Sequence, residues 1–201
     1  PSASSVSGNA VVGIVLGGSG SAAYQAEVNV GFQTSNVISG NRGHGVAIIG
    51  ANGNSLLGTT FRQDPFVFYN VLSGNGGNRL RITNSNNTIV QATCTGLGAN
   101  NATVVANGLN GITVAGTSRG TMVVANSIID SGANGILLNA ATDLLVGGGP
   151  AGTANTIVTS VGYGLLAVGP CSRTRVIRNL IAGNSLGAVN LSSATGITYV
   201  P

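Results

Sequence analysis

Acidic side chains are scarce in this chain of 201 residues, and their positions limit the chemistry that it could perform. The four carboxylates belong to Glu27, Asp64, Asp130 and Asp143. Glycoside hydrolysis uses a pair of carboxyl groups, and calcium needs several oxygen ligands in one place. Asp130 and Asp143 fall in one predicted repeat but on different strands. We therefore expect no catalytic residue, no metal site and no cofactor.

The single histidine lies in the segment Arg42-Gly43-His44-Gly45. Its Gly-His-Gly triplet resembles that of the polygalacturonase family, and this resemblance would make His44 a catalytic helper. The same family needs an adjacent pair of aspartates and a further aspartate, to protonate the leaving group and activate water. No acidic residue lies within 16 positions of His44. We interpret His44 as a turn residue between two glycines.

Arginine supplies all 8 basic residues, and the formal net charge is +4. Arg173, Arg175 and Arg178 form a basic cluster, in which Arg173 and Arg175 share a face that could pair with an acidic polysaccharide or with a carboxylate of a partner. A solvated edge is the alternative interpretation. Eight arginines in 201 residues are too sparse for the dense basic face that phosphate binding requires, so we expect no nucleic-acid partner.

The overall composition indicates a folded chain with an unusual surface. Charged residues make up only 6% of the chain, against roughly a quarter in an ordinary soluble domain. Hydrophobic residues reach 43%, which is enough apolar surface to exclude intrinsic disorder. Gly, Asn, Ser or Thr interrupts every apolar run well before the ~18 residues of a membrane-spanning helix, and we expect no membrane insertion.

A repeated segment predicts the elements that must position these side chains. Asn36-Val37-Ile38-Ser39-Gly40-Asn41 recurs 34 positions later as Asn70-Val71-Leu72-Ser73-Gly74-Asn75, and looser copies follow. Each copy precedes a short strand, and a weaker third strand completes the repeat. Glycine and asparagine at the corners tolerate positive φ, and no helical period survives them. The strands after the copies are predicted to start at Gly13, Gly45, Arg79, Gly111, Gly135, Gly164 and Gly187.

This pattern resembles the right-handed parallel β-helix repeat proteins of bacterial and viral surfaces. The resemblance covers nearly the whole chain and implies an all-β, single-stranded right-handed parallel β-helix, a solenoid of about seven coils with three short strands per coil. We expect one domain over residues 1–201, from a processed or longer chain. Cys94 and Cys171 would lie three coils apart, about 14 Å at 4.8 Å per coil, so we expect no disulfide within the chain and leave an intersubunit bond open.

Strand alternation predicts which side chains face the interior and which face outward. The interior is assigned Val46 with Ile48, Leu80 with Ile82, and their counterparts in later coils. The outward positions are mostly apolar, and contiguous apolar patches mark interaction surfaces. A register error of one residue on one sheet, which would exchange inside and outside, is the alternative. The predicted self-association rows are Val37, Val71, Ile128, Ile157 and Leu180 on one sheet, and Leu137, Leu166 and Val189 on the next.

These rows, together with ends that carry no predicted cap, lead to a functional hypothesis. The chain is expected to be a non-enzymatic structural subunit of an extracellular, cell-surface or virion fibre, with itself as partner through end-to-end and lateral contacts. The alternative is a carbohydrate-binding or polysaccharide-degrading β-helix, either an adhesin or a depolymerase. Its expected glycan contacts are Phe61, Arg62, Asp64 and Tyr69 in one loop, and Asn101 is the favoured site of N-glycosylation.

Overall fold

The computed structural model describes residues 5–17, 29–30, 36–57, 70–96, 103–148 and 152–201, and all regular structure in them is β-strand. None of these described residues forms a helix long and apolar enough to span a membrane. The strands are β1 Ser5–Ser7, β2 Ile14–Gly17, β3 Asn29–Val30, β4 Val37–Ser39, β5 Val46–Ile49, β6 Ser55–Leu57, β7 Asn70–Ser73, β8 Leu80–Thr83, β9 Ile89–Gln91, β10 Thr93–Thr95, β11 Ile112–Ala115, β12 Met122–Val124, β13 Ser127–Ile129, β14 Ile136–Asn139, β15 Leu145–Gly147, β16 Thr156–Val158, β17 Tyr163–Ile177, β18 Leu180–Ala182 and β19 Gly187–Val200.

All pairing between these strands is parallel, and each strand pairs with its counterpart in the next coil. One sheet has the order β1-β4-β7-β10-β13-β16-β18. The other contains two faces of the coil, β2-β5-β8-β11-β14 and β3-β6-β9-β12-β15, which join in the long strand β17. This arrangement confirms the predicted all-β parallel β-helix.

Asparagine ladders hold the coils together at the turns. The Nδ2 atom of Asn41 donates to Oδ1 of Asn75 at 2.9 Å, and the Oδ1 atom of Asn107 accepts from the backbone of Asn75 at 2.7 Å. A second ladder runs through Asn126 and Asn155, with an Nδ2–Oδ1 distance of 3.0 Å. All five side chains are buried. The ladders satisfy backbone groups that the tight turns would otherwise leave unpaired.

The interior predicted from strand alternation is confirmed along the face β5-β8-β11-β14-β17. Val46, Ile48, Leu80 and Ile82 are each at most 1% exposed, and their counterparts in later coils belong to the same buried cluster. Cys94 and Cys171 are also buried, and no disulfide joins them. The core is therefore a continuous column of aliphatic side chains.

The two predicted self-association rows are wrong at three positions. Ile128 and Ile157 are 0% exposed because the pairing register aligns them with the inward Leu72 row, not with Val71. Val189 pairs with the inward Leu165 and packs against the core. In strands of three residues, a slip of one position exchanges the two faces. The residues that share the register of Val37 and Val71 mix polar and apolar types, namely Ser5, Val37, Val71, Cys94, Ser127, Thr156 and Leu180. Val71 and Cys94 in this row are themselves buried, at 5% and 1% exposure.

One coil carries a fully buried arginine at a position that glycine fills in its neighbours. Arg79 is 0% exposed, and its guanidinium donates to Oγ1 of Thr95 at 2.8 Å, to the carbonyl oxygen of Asp130 at 2.6 Å and to that of Ile129. Burial lowers its pKa to about 9, which still leaves it charged at neutral pH. These bonds stabilise the packing between successive coils.

Candidate functional site

A row of asparagines precedes the strands of one face, and His44 occupies the same row. The side-chain oxygen of Asn78 accepts from the backbone N–H of Asn110 at 3.1 Å, and that of Asn110 accepts from Asn134 at 2.9 Å. In the coil before them, Nδ1 of His44 accepts from the backbone N–H of Asn78 at 2.9 Å. The Nδ1 atom of the imidazole therefore accepts the backbone hydrogen bond that an asparagine oxygen accepts in the later coils. Its Nε2 atom takes no part in this bond.

This hydrogen bond fixes the tautomer of His44. A backbone N–H can only donate, so Nδ1 is the unprotonated nitrogen and the neutral ring carries its proton on Nε2. Burial, and then the positive charge of Arg81, lower the pKa of His44 below the ordinary 6.5. The ring is thus neutral at pH 7 and presents an Nε2–H donor.

Arg81 lies beside this donor on the outward side of strand β8. Its Nη1 atom is 3.4 Å from Nε2 of His44, and its Nε atom donates to Oγ1 of Thr83 at 3.1 Å. Since both facing nitrogens carry hydrogen, they cannot satisfy each other. Two donors at this separation, one of them cationic, form a natural receptor for an oxygen anion such as a carboxylate.

A third polar group adjoins the pair. Thr113 on strand β11 pairs in register with Arg81, and it is 6% exposed although its row faces outward. Its Oγ1 atom is buried with no hydrogen-bond partner. Because this oxygen is buried, a ligand at the surface does not reach it, and Thr113 is not a contact of the site. We refer to His44 and Arg81 as the anion site.

The other predicted cationic face is already compensated in part. Arg173 donates to the carboxylate of Asp143 at 2.5 and 2.7 Å, and both residues adopt left-handed turn conformations. The hydrogen bond from Arg173 holds the pKa of Asp143 below its usual range. Arg175 lies on strand β17, exposed beside Leu145 and Met122 in a shallow groove. The charge of Arg173 is therefore compensated by Asp143, and Arg175 is the cation that adjoins this groove.

Several predicted positions lie outside the described residues, namely the glycan contacts Phe61, Arg62, Asp64 and Tyr69, and the glycosylation candidate Asn101. Among the residues that the structure does describe, no three His, Cys, Asp or Glu side chains are grouped as a metal ion would require. The anion site itself was missed by the sequence analysis. The 34-residue spacing of the repeat, which pairs Ala47 with Arg81, was the signal that could have brought Arg81 next to His44.

Comparison with known proteins gives one informative match. No protein-family model and no curated protein matches the chain. Among solved structures, the A-module of the mannuronan C-5 epimerase AlgE6 from Azotobacter vinelandii is similar, with a TM-score of 0.67 and 18% sequence identity. The match covers 98% of this chain and 56% of that one, so this chain spans little more than half the length of the protein it resembles. At this identity the similarity establishes the parallel β-helix fold.

The prediction of a non-enzymatic fibre subunit is corrected by these findings. Ile128, Ile157 and Val189 face the core, so the apolar rows that supported it do not exist as predicted. The similar solved structure belongs to an enzyme that modifies a polysaccharide, not to a filament. The carbohydrate-directed alternative accounts better for both observations.

Proposed function

We propose that this chain is a carbohydrate-directed β-helix that binds an acidic polysaccharide through the carboxylate of a uronate unit at the anion site. The observation that supports the proposal is the pair of unsatisfied donors, Nη1 of Arg81 and Nε2–H of His44, 3.4 Å apart. A carboxylate oxygen accepts from both at once, and its charge pairs with the guanidinium.

The same geometry favours binding over proton abstraction. Removing the proton α to a uronate carboxylate requires a base with an available lone pair near that proton. In His44 the Nδ1 lone pair accepts from Asn78, and Nε2 carries the proton. Asp130 and Asp143, the carboxylates of the described residues, belong to later coils than the strand that carries Arg81. Within the part of the chain that the structure describes, the site therefore offers donors to a bound carboxylate and no acceptor for a carbon-bound proton.

Binding to mannuronan oligosaccharides, measured by isothermal titration calorimetry, tests the proposal. Mannuronan is the polymer named for the similar epimerase. We expect R81Q to weaken binding about tenfold or more, because a charge-assisted hydrogen bond is lost. R175Q, which removes an exposed arginine elsewhere on the surface, is the matched control and should bind like the wild type. Equal loss in both variants, or equal binding of uncharged mannan oligosaccharides, would contradict the proposal.

H44N separates the structural role of His44 from its role as a donor. Asparagine already occupies this row at positions 78, 110 and 134, so the substitution keeps the acceptor for the backbone of Asn78 and removes Nε2–H. We expect an unchanged fold and a Kd weakened about fivefold, which corresponds to one hydrogen bond. Incubation in D2O, followed by NMR, tests turnover. Exchange of the C-5 proton by the wild type that H44N abolishes would make His44 a base and would refute the tautomer argument.

A further inference from the structure

A polar groove crosses the turns that follow strands β5, β8 and β11. It has a volume of about 460 Å³ and is lined by Gly50, Asn52, Asn84, Asn86 and Thr117. These residues come from three successive coils, so the groove extends across the stacked coils. Its lining contains no acidic and no large apolar side chain. Carboxamides and one hydroxyl therefore dominate its chemistry.

Each of the three carboxamides is held by its oxygen. Oδ1 of Asn52 accepts from the backbone of Asn86 at 2.9 Å, and Oδ1 of Asn86 accepts from the backbone of Arg119 at 3.1 Å. Oδ1 of Asn84 accepts from the backbone and the hydroxyl of Thr117, at 3.1 and 3.4 Å. Their orientation is therefore set before any ligand arrives, which reduces the entropy cost of binding.

The nitrogens of these carboxamides distinguish the groove from the ladders elsewhere. In the structural ladders, Nδ2 donates to the oxygen of the neighbouring asparagine, as from Asn110 to Asn78 at 3.3 Å and from Asn155 to Asn179 at 2.8 Å. No such bond links Asn86 to Asn52 within the described structure, since the Oδ1 atom of Asn52 receives only the backbone N–H. Among the described residues, the groove thus holds oriented N–H donors for which no hydrogen bond to a protein acceptor is found.

The groove lies at the carboxyl end of the strand that carries the anion site. Arg81 bonds through its Nε atom to Thr83, and Asn84 follows directly. Three residues of extended chain separate Arg81 from Asn84 by roughly 10 Å. A polymer anchored by a carboxylate at Arg81 can therefore reach the groove with a unit further along its chain.

We infer that this groove is a second saccharide subsite, in which amide N–H groups donate to the hydroxyl and carboxylate oxygens of a further uronate unit. The inference rests on the proposed function for its ligand class. It assigns the recognition of chain length to Asn52, Asn84 and Asn86, and the recognition of charge to Arg81. Short oligosaccharides should fill the anion site alone, and longer ones should fill both.

N84G and N87G form a matched pair of variants for testing this inference. Both asparagines adopt left-handed backbone conformations, with φ of 53° and 54°, that glycine accepts readily. Glycine already occupies the equivalent turn positions in neighbouring coils, at 50 and 116 for Asn84 and at 53 and 120 for Asn87. Asn84 lines the groove and Asn87 does not. Equal thermal midpoints would show that the pair differs only in the groove.

Calorimetric titration with mannuronan dimers and hexamers provides the readout. We expect N84G to weaken hexamer binding about fivefold and to leave dimer binding unchanged, while N87G changes neither. If R81Q abolishes binding of both lengths and N84G binds hexamers like N87G, the groove is not a subsite and the proposed function stands. If N84G weakens hexamer binding while R81Q binds normally, the proposed function fails and the groove stands. If the wild type binds neither length, both are refuted.

Discussion

Replacing Arg79 by glycine should lower the free energy of unfolding more than an ordinary surface substitution does. Replacing Thr95 by isoleucine in the same molecule should restore much of the lost stability. A Cβ atom at Gly13 would lie 2.9 Å from Cγ2 of Ile38 in the next coil, and at Gly111 it would lie 2.6 Å from Cγ2 of Ile128. The carbonyl oxygen of the next coil is closer still, at 2.6 Å from the Cβ position of Gly13 and 2.5 Å from that of Gly111, so carbonyl and isoleucine together exclude a side chain. Thr95 takes the isoleucine position after Arg79, so the smaller side chain makes room for the guanidinium.

The expected magnitudes follow from the bonds that are lost. R79G removes the buried guanidinium and leaves its three acceptors without this donor. We expect the free energy of unfolding to fall by about 3–5 kcal/mol. T95I crowds the guanidinium and removes one acceptor, at a cost of about 2–4 kcal/mol. R79G/T95I recreates the pairing of Gly111 with Ile128, so the double variant should lose about 3 kcal/mol less than the sum of the single losses.

Urea denaturation followed by circular dichroism measures all four proteins. A shift of the midpoint at constant slope reports a change in stability, and a change in slope reports altered compactness. R175Q, on the exposed side of β17, serves as the control for loss of an arginine. If the losses of R79G and T95I add within about 0.5 kcal/mol in the double variant, the two positions are not coupled and the packing argument fails.

Three further changes test the fold and the site. Because the pKa of His44 is lower in the folded chain than in the unfolded one, the unfolded chain binds the proton first as the pH falls. The stability of the wild type should therefore decrease below pH 6.5. Thermal melts at each pH should show that H44N lacks this pH-dependent loss. I128S should lower the free energy of unfolding by about 3–4 kcal/mol, because Ile128 is 0% exposed, and L180S by less than about 1 kcal/mol, because Leu180 is 60% exposed. Equal losses in urea melts would contradict the strand register described above. N126A should lower the free energy of unfolding by about 2–4 kcal/mol, because it breaks a buried asparagine ladder. If amide hydrogen exchange in the neighbouring turns stays as slow as in the wild type, the ladder does not hold these turns.

The sequence predicted the fold well because the copies at 36–41 and 70–75, which differ only in isoleucine against leucine, mark equivalent positions in two coils. The four-residue strand beginning at Leu80 alternates apolar with polar side chains, and the burial of its residues follows this alternation. The first sheet was harder to predict, because a strand of three residues with two adjacent aliphatic side chains fits either face. Ser127-Ile128-Ile129 is such a strand, and its serine, not its first isoleucine, aligns with Val71 through Cys94.

One coil also departed from the repeat in a way that sequence alone did not reveal. The segment near Val104 resembles a degenerate copy of the repeat in the sequence, but Val104 is 56% exposed. The strand that fills this place is β10, Thr93–Thr95, and its polar residues hide the repeat. The polar Thr95 fits this place because it accepts a hydrogen bond from the guanidinium of Arg79. A pattern search for aliphatic residues could not find a strand whose core position is polar.

In a solenoid each position has counterparts in the other coils, so the departures from a row are informative. Arg79 departs from a glycine row, but its Nη1 and Nη2 atoms bond to Thr95 and to two carbonyl oxygens inside the protein, which makes it structural. Its buried Nε atom has no partner among the described residues. His44 departs from an asparagine row and keeps only half of its bonding inside, at Nδ1. Its other nitrogen, with Nη1 of Arg81, directs hydrogen toward a place where no protein acceptor lies among the described residues. A repeat protein can keep its fold where a residue that differs from its row bonds inside the protein. It can acquire a binding site where such a residue directs hydrogen-bond donors outward, and the anion site is of this second kind.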